Sequence, residues 1–147
     1  CNELLQQGSE PFAIYVLVGR NTDLQLELEA AYADCGRLHV VPFTREVARY
    51  MNASDVMISK PGGLSSTEAA VATIPLVHIL AFSGCETKNA AFFSAHGMSV
   101  RAENAKEAVC AALELLHNKD KAETMRAAQR ENIPPDAADR IIESVTR

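Results

Sequence analysis

Ser54-Asp55-Val56-Met57-Ile58-Ser59-Lys60-Pro61-Gly62-Gly63-Leu64-Ser65-Ser66-Thr67-Glu68-Ala69 reads as a strand, a glycine turn and the start of a helix. Val56 to Ile58 are apolar and β-prone, as in a strand buried on both faces. Pro61 cannot continue a ladder, and Gly62-Gly63 allow positive φ and a close backbone approach to something outside the chain. The helix that opens at Ser65 carries hydroxyls in its first turn. Such an opening presents unpaired N–H groups and the positive end of a helix dipole, which suits an anion such as phosphate.

The same alternation extends in both directions. Cys1 to Gly8 reads as a helix ending at a glycine C-cap, and a start inside a helix suggests missing sequence before it. Phe12 to Val18 is a continuous apolar run, a buried strand that ends in the turn Gly19-Arg20-Asn21. A helix over 22–33 follows, with Leu24, Leu28 and Ala31 on one face; then come a strand over 38–41 and a helix over 45–52. Beyond the opening stretch, Pro75 to Ile79 is a short buried strand, and Ala81 to Cys85 a loop. Glu86 to His96 is a helix stopped by Gly97, and Met98 to Val100 an edge strand. Asn104 caps a long helix to His117, with Ala108, Ala111, Ala112, Leu115 and Leu116 inward. An amphipathic helix over 119–131 follows, and Pro134-Pro135 separates it from a last helix carrying Ile141, Ile142 and Val145.

Strands joined by single helices pair in parallel through right-handed crossovers. The expected fold is α/β, a doubly wound parallel sheet of about five strands. Such sheets bind ligands beyond the carboxyl ends of their strands. The loops there are Gly19–Asn21, Pro42–Thr44, Ser59–Ser66 and Leu80–Thr87, and they are expected to line one crevice.

Composition narrows the classes. The 147 residues suffice for one domain with a real core, and 22% charged residues is ordinary for a globular protein. A formal charge of −5 gives no sign of nucleic-acid binding. No apolar run approaches the roughly 20 residues of a membrane span, and no signal-peptide pattern opens the chain. Cys1, Cys35, Cys85 and Cys110 are scattered, which fits a reducing cytoplasm rather than a disulfide or metal framework.

Each candidate residue has two readings. Gly62-Gly63 is either a tight strand-to-helix turn or an anion cradle; it matches neither the P-loop nor the dinucleotide fingerprint. Ser65 and Glu68 have the spacing of a capping box, contributing about 0.5–2 kcal/mol. Alternatively Glu68 accepts hydrogen bonds from two ribose hydroxyls, at about 1.5–3 kcal/mol each. Glu86 sits where another helix begins, three residues before Asn89, and reads as a dipole-favoured acid of a first turn. Lys60 pairs with phosphate or points to solvent, and solvent is the simpler reading. His39 and His78 lie inside strands and read as core or rim; His96 and His117 sit at helix ends. The dispersed histidines suggest no metal site, and Cys85 has no base nearby in sequence to make it a nucleophile.

Asp55 to Ala69 resembles the signature of the family 28 glycosyltransferases, nearest to the processive diacylglycerol glucosyltransferases and monogalactosyldiacylglycerol synthases. Val18-Gly19-Arg20-Asn21 looks like the first loop of their C-terminal domain, and Val41-Pro42-Phe43-Thr44 like their uracil-contacting turn. Gly84-Cys85-Glu86-Thr87-Lys88-Asn89-Ala90 looks like their Pro-Gly-Gln-Glu-x-x-Asn-Ala segment. The four pieces fall in the family's order across nearly the whole chain.

The resemblance implies a Rossmann-like C-terminal half of a two-domain GT-B glycosyltransferase, with residues 1–147 as the donor-binding domain. The N-terminal acceptor domain, and the catalytic base with it, are expected outside this chain. Donor-binding positions implied are Gly19, Asn21, Phe43, Thr44, Gly62, Gly63, Leu64, Ser65, Ser66, Glu68, Glu86 and Asn89. Among them, Phe43-Thr44 backbone would meet uracil, Gly63 to Ser66 cradle the diphosphate, Glu68 bind ribose, and Glu86 with Asn89 face the sugar or ribose. Where the family has Pro-Gly-Gln-Glu this chain has Ser83-Gly84-Cys85-Glu86, which leaves the identity of the sugar open.

The implied reaction moves a hexosyl group from a UDP-sugar to a diacylglycerol-type lipid, with no metal or other cofactor expected and the fragment alone inactive. The competing readings are a UDP-sugar epimerase-like domain and a non-catalytic nucleotide-sugar-binding module. The resemblance also implies a cytoplasmic protein, with peripheral attachment to the inner face of the membrane open for the full protein.

Overall fold

The computed structural model describes residues 1–7, 12–79 and 84–146. The expected C-cap at Gly8 and the loop residues Ala81 to Ser83 lie outside them. The chain forms two compact units, Cys1–Tyr50 and Met51–Arg147. Among the described residues five strands form, as expected, and every pairing between them is parallel. They belong to two sheets, one of two strands in the first unit and one of three in the second.

The first unit carries α1 (Asn2–Gln7), β1 (Ile14–Gly19), α2 (Thr22–Ala31) and β2 (Leu38–Pro42). The strands pair from Ile14↔Leu38 to Gly19↔Pro42, with a bulge between Leu17 and Gly19. Helix α2 is the crossover. It starts at Asn21, whose side-chain oxygen accepts the Leu24 N–H at 3.0 Å. Helix α1 is tied on by Arg37 Nη2, which donates to Leu5 O at 3.0 Å, and by Tyr32 Oη, which donates to Asn2 Oδ1 at 2.8 Å. Burial of β1 departs from the expectation. Val18 is buried, but Tyr15 is 52% exposed and Leu17 38%. The unbroken apolar run therefore serves one covered face and one open one. On the open face Tyr15 stacks on His39 at 4.9 Å, which places His39 at the surface rather than in the core.

Helix α3 (Val47–Ala53) runs across the division between the units. Its Met51 is buried, while Ala48 is exposed.

The second unit carries β3 (Met57–Ser59), α4 (Gly63–Val71), β4 (Leu76–Ile79), α5 (Cys85–Ala95), β5 (Val100–Ala102), α6 (Ala105–His117), α7 (Lys119–Asn132) and α8 (Ala137–Val145). Strand β4 is central, paired with β3 from Met57↔Leu76 and with β5 from Val77↔Val100. Its side chains alternate between two covered faces. Val77 joins Ala108, Ala111, Ala112 and Leu115 of α6 on one side. Leu76 joins Ala69 and Ala70 of α4 and Phe93 of α5 on the other. Strand β3 is an edge, so Ile58 is partly exposed and not buried on both faces as its sequence suggested.

Asn104 caps α6 as expected, accepting the Glu107 N–H at 3.0 Å, while Glu107 accepts the Glu103 N–H in return. From α7, Gln129 Nε2 donates to Ile74 O and Met98 O, joining the segments that lead into β4 and β5. On α8 the residues Ile141, Ile142 and Val145 are exposed.

Helices α4 and α5 end in the same hydrogen-bond pattern with different residues. After α5, Met98 N–H reaches Phe93 O and Gly97 N–H reaches Ser94 O, with Gly97 at φ +69°. After α4, Ile74 N–H reaches Ala69 O and Thr73 N–H reaches Ala70 O, with Thr73 at φ +52°. A left-handed conformation costs an L-residue roughly 1–2 kcal/mol, and a β-branched one most. Thr73→Gly is therefore expected to raise unfolding stability by about 1 kcal/mol, read from the urea midpoint at unchanged slope. A lowered midpoint contradicts the strain at Thr73.

Candidate functional site

Helix α4 begins at Gly63, two residues before the start read from the sequence. Its N-cap is Gly62, at φ −70° and ψ 141°, and a glycine has no side chain to cap with. The first bond of the helix is Ser66 N–H to Gly62 O at 3.0 Å. The amides of Gly63, Leu64 and Ser65 precede that bond and have no acceptor among the described residues. They point out of the helix start together with the positive end of its dipole.

This register undoes the expected capping box. Ser65 is the third helical residue and Glu68 the sixth, so the two do not bracket the helix start. Glu68 is exposed; its carbonyl accepts the Ala72 N–H, and its carboxylate makes no hydrogen bond to a described residue. The glycines also differ from expectation. Neither has positive φ. A Cβ on Gly62 would meet nothing within 4 Å, and one on Gly63 only Asn89 Nδ2, at an ordinary 3.7 Å. The fold itself does not require glycine at either position.

Ser66 departs furthest from the role the resemblance gave it. Its residue is fully buried, its N–H is spent on Gly62 O, and its Oγ lies 2.9 Å from His78 Nε2. It offers no donor to a ligand in this arrangement. Ser99 Oγ lies 3.1 Å from His78 Nδ1. A single buried imidazole thus joins α4, β4 and the entry to β5. With one ring nitrogen donating and the other accepting, both serines are satisfied by a neutral ring. His78 is core, as its place in a strand suggested; its serine partners were missed. The available signal was the small inward stripe Ser66, Ala69, Ala70 opposite a polar residue in an apolar strand.

The α5 start lies against this bend. Its N-cap is Gly84, again without a side-chain cap, and Glu86 is in its first turn. Lys60 Nζ lies 2.8 Å from Glu86 Oε1. Asn89 Nδ2 donates to Pro61 O at 3.1 Å. The Gly62-Gly63 bend therefore faces Glu86 and Asn89, and Lys60, though largely exposed, pairs with Glu86 there.

In the first unit, Gly19 (φ +60°) and Asn21 flank Arg20, whose guanidinium sits 4.9 Å from the ring centre of the exposed Phe43. The loops after β1 and β2 are thus neighbours. Asn21 is committed to capping α2, and Thr44 Oγ1 accepts the Glu46 N–H at 3.0 Å. His96 sits at the C-cap of α5 and His117 in the last turn of α6, as expected. Among the described residues no group of three His, Cys, Asp or Glu side chains is placed to hold a metal ion, and no helix is long and apolar enough to cross a membrane.

Comparison with solved structures gives the class. The crystal structure of Acinetobacter baumannii MurG matches 97% of this chain, with a TM-score of 0.78 at 23% identity, over 43% of its own length. The fold is that of the Rossmann-like C-terminal half of a GT-B glycosyltransferase. The chain belongs to glycosyltransferase family 28: the profile of the glycosyltransferase family 28 C-terminal domain matches residues 1–141. Among curated relatives, processive diacylglycerol beta-glucosyltransferase of Staphylococcus carnosus is 27% identical over 119 residues, 81% of this chain and 30% of that protein. Its counterpart in Bacillus subtilis is 28% identical over 127 residues, 86% of this chain and 33% of that protein. The chain spans about a third of the length of these relatives.

Burial lowers the His78 pKa from 6.5 to about 4. The unfolded chain therefore takes up this proton first as pH falls. Stability from this group is complete above about pH 6.5 and is lost progressively down to about pH 4, by up to about 3 kcal/mol. Urea unfolding at stepped pH checks this: the difference in stability between the parent and His78→Gln should shrink across that window. A constant difference contradicts it.

Proposed function

We propose that this chain is the donor half of a hexosyltransferase that uses a UDP-sugar and delivers the sugar to a diacylglycerol-type lipid. Glucose is the sugar named for the relatives, and diacylglycerol their acceptor. The observation that carries the donor reading is the α4 start. Three adjacent amides there have no acceptor among the described residues, beside two glycines that the chain's own packing does not demand. A glycine with ordinary φ and open space over it is explained by close approach of something outside the chain. Diphosphate fits the chemistry, because it is anionic and rich in acceptors.

The residues then take these roles. Gly63, Leu64 and Ser65 donate backbone hydrogen bonds to the diphosphate, and Gly62 leaves room for it. Glu68, exposed and uncommitted among the described residues, accepts from ribose hydroxyls. Glu86 and Asn89 stand on the sugar side. As the glycosidic bond breaks, charge accumulates on the leaving diphosphate. Amides already aimed at it stabilise that charge without reorganising. The acceptor hydroxyl belongs to the lipid, and we place the base that deprotonates it in an acceptor-binding half outside these 147 residues, which then bind donor and do not turn over.

Two substitutions separate this reading from a purely structural one. In Gly63→Ala the new methyl enters the ligand's space while Ala favours the helix by about 0.5–1 kcal/mol. Calorimetric titration with UDP should show affinity at least about tenfold weaker, with an equal or higher urea midpoint. Glu68→Ala should weaken UDP about tenfold and change stability by less than about 0.5 kcal/mol. Unchanged UDP affinity in both variants contradicts the assignment.

A further inference from the structure

The structure places one cation against the acid at this site, and we infer that Lys60 is a positioning residue that makes the carboxylate of Glu86 compatible with a bound diphosphate. The inference rests on the donor reading above. Two glycine-capped helix starts, those of α4 and α5, border the bend, each contributing about half a positive charge at its end. Glu86 brings a full negative charge to the same place, with its side chain 27% exposed. Alone, that carboxylate repels a dianionic diphosphate. Lys60 Nζ, at 2.8 Å from Glu86 Oε1, offsets it and draws it to one side.

The backbone around Lys60 is braced for this. Gly62 N–H donates to Lys60 O at 2.8 Å, Ser59 Oγ donates to the same carbonyl at 2.9 Å, and Asn89 from α5 holds the next carbonyl, that of Pro61. The lysine side chain is 73% exposed. An ion pair so open to water contributes little to folding. Its placement beside the amide cradle is therefore better explained by binding. Lysine carries a single ammonium on a flexible stem and can donate to a phosphate and a carboxylate in turn. When the diphosphate occupies the cradle, Lys60 bridges the two anions, and Glu86 keeps an oxygen to accept from the sugar.

The test uses the whole 147-residue chain and three probes, uridine, UDP and UDP-glucose, titrated by calorimetry into the parent, Lys60→Met, Lys60→Arg, Glu86→Gln and the Lys60→Met/Glu86→Gln double variant. The expected result is about tenfold weaker UDP and UDP-glucose for Lys60→Met, with the urea midpoint and uridine affinity unchanged. Lys60→Arg keeps most of the UDP affinity. The double variant recovers UDP affinity relative to Lys60→Met, because the repelling charge has gone, but does not recover the preference for UDP-glucose over UDP. Parent-like UDP binding by Lys60→Met, or a double variant no better than Lys60→Met, overturns the role of Lys60 alone. Absence of UDP binding by the parent chain overturns the donor reading and this inference with it.

Discussion

Three backbone amides with no acceptor among the described residues are the feature on which the site depends. A helix start normally spends a side chain to satisfy such donors. Here the N-cap is Gly62, which has none, and the chain offers no other acceptor among the described residues. Elsewhere in the same molecule the usual solution is present: Asn21, Asn104 and Asn118 cap α2, α6 and α7 with side-chain oxygens. The sequence can therefore make capped helices, although α8 too starts without a side-chain cap bond, at Asp136. At α4 the cap is withheld, and at α5 it is withheld again.

An uncapped start must be held in place by something other than a cap. The load falls on the residues just behind the open amides. Ser66 turns inward onto His78, and His78 in turn meets Ser99, so α4 is fixed to the sheet through one neutral ring. Ala69 and Ala70 continue the same inward stripe into the core around Leu76 and Phe93. Asn89 fixes the strand-exit turn from the α5 side. The amides are thus presented by a rigid frame, which is what preorganised binding of an anion requires.

Much of this was legible in the sequence. The alternation of apolar runs and amphipathic stretches defined the α/β class and four of the strands, while the edge strand read over 98–100 forms two residues later, at Val100–Ala102; the Asn104 cap and the Gly97 stop fell where their residue types demanded. The Gly-rich bend at the exit of a strand was recognisable as a binding candidate from Pro61-Gly62-Gly63 alone. The phase of α4 was not legible. The resemblance put Ser66 in the cradle, whereas the helix that starts at Gly63 turns it into the core. The burial of β1 and β3 was misread because a continuous apolar run does not say which strand is an edge; Tyr15, Leu17 and Ile58 stand partly exposed. The Lys60–Glu86 contact joins residues 26 positions apart, and nothing local to either announces it.

The central claim is that the amides of Gly63, Leu64 and Ser65 receive the diphosphate of a UDP-sugar. The most direct measurement is an amide-resolved NMR titration of the isotopically labelled chain with UDP, with uridine as the control. The account predicts that the Gly63, Leu64 and Ser65 amide resonances move most with UDP, saturate on one isotherm, and stay in place with uridine. Saturating UDP that leaves those three resonances unmoved, whatever else shifts, contradicts it.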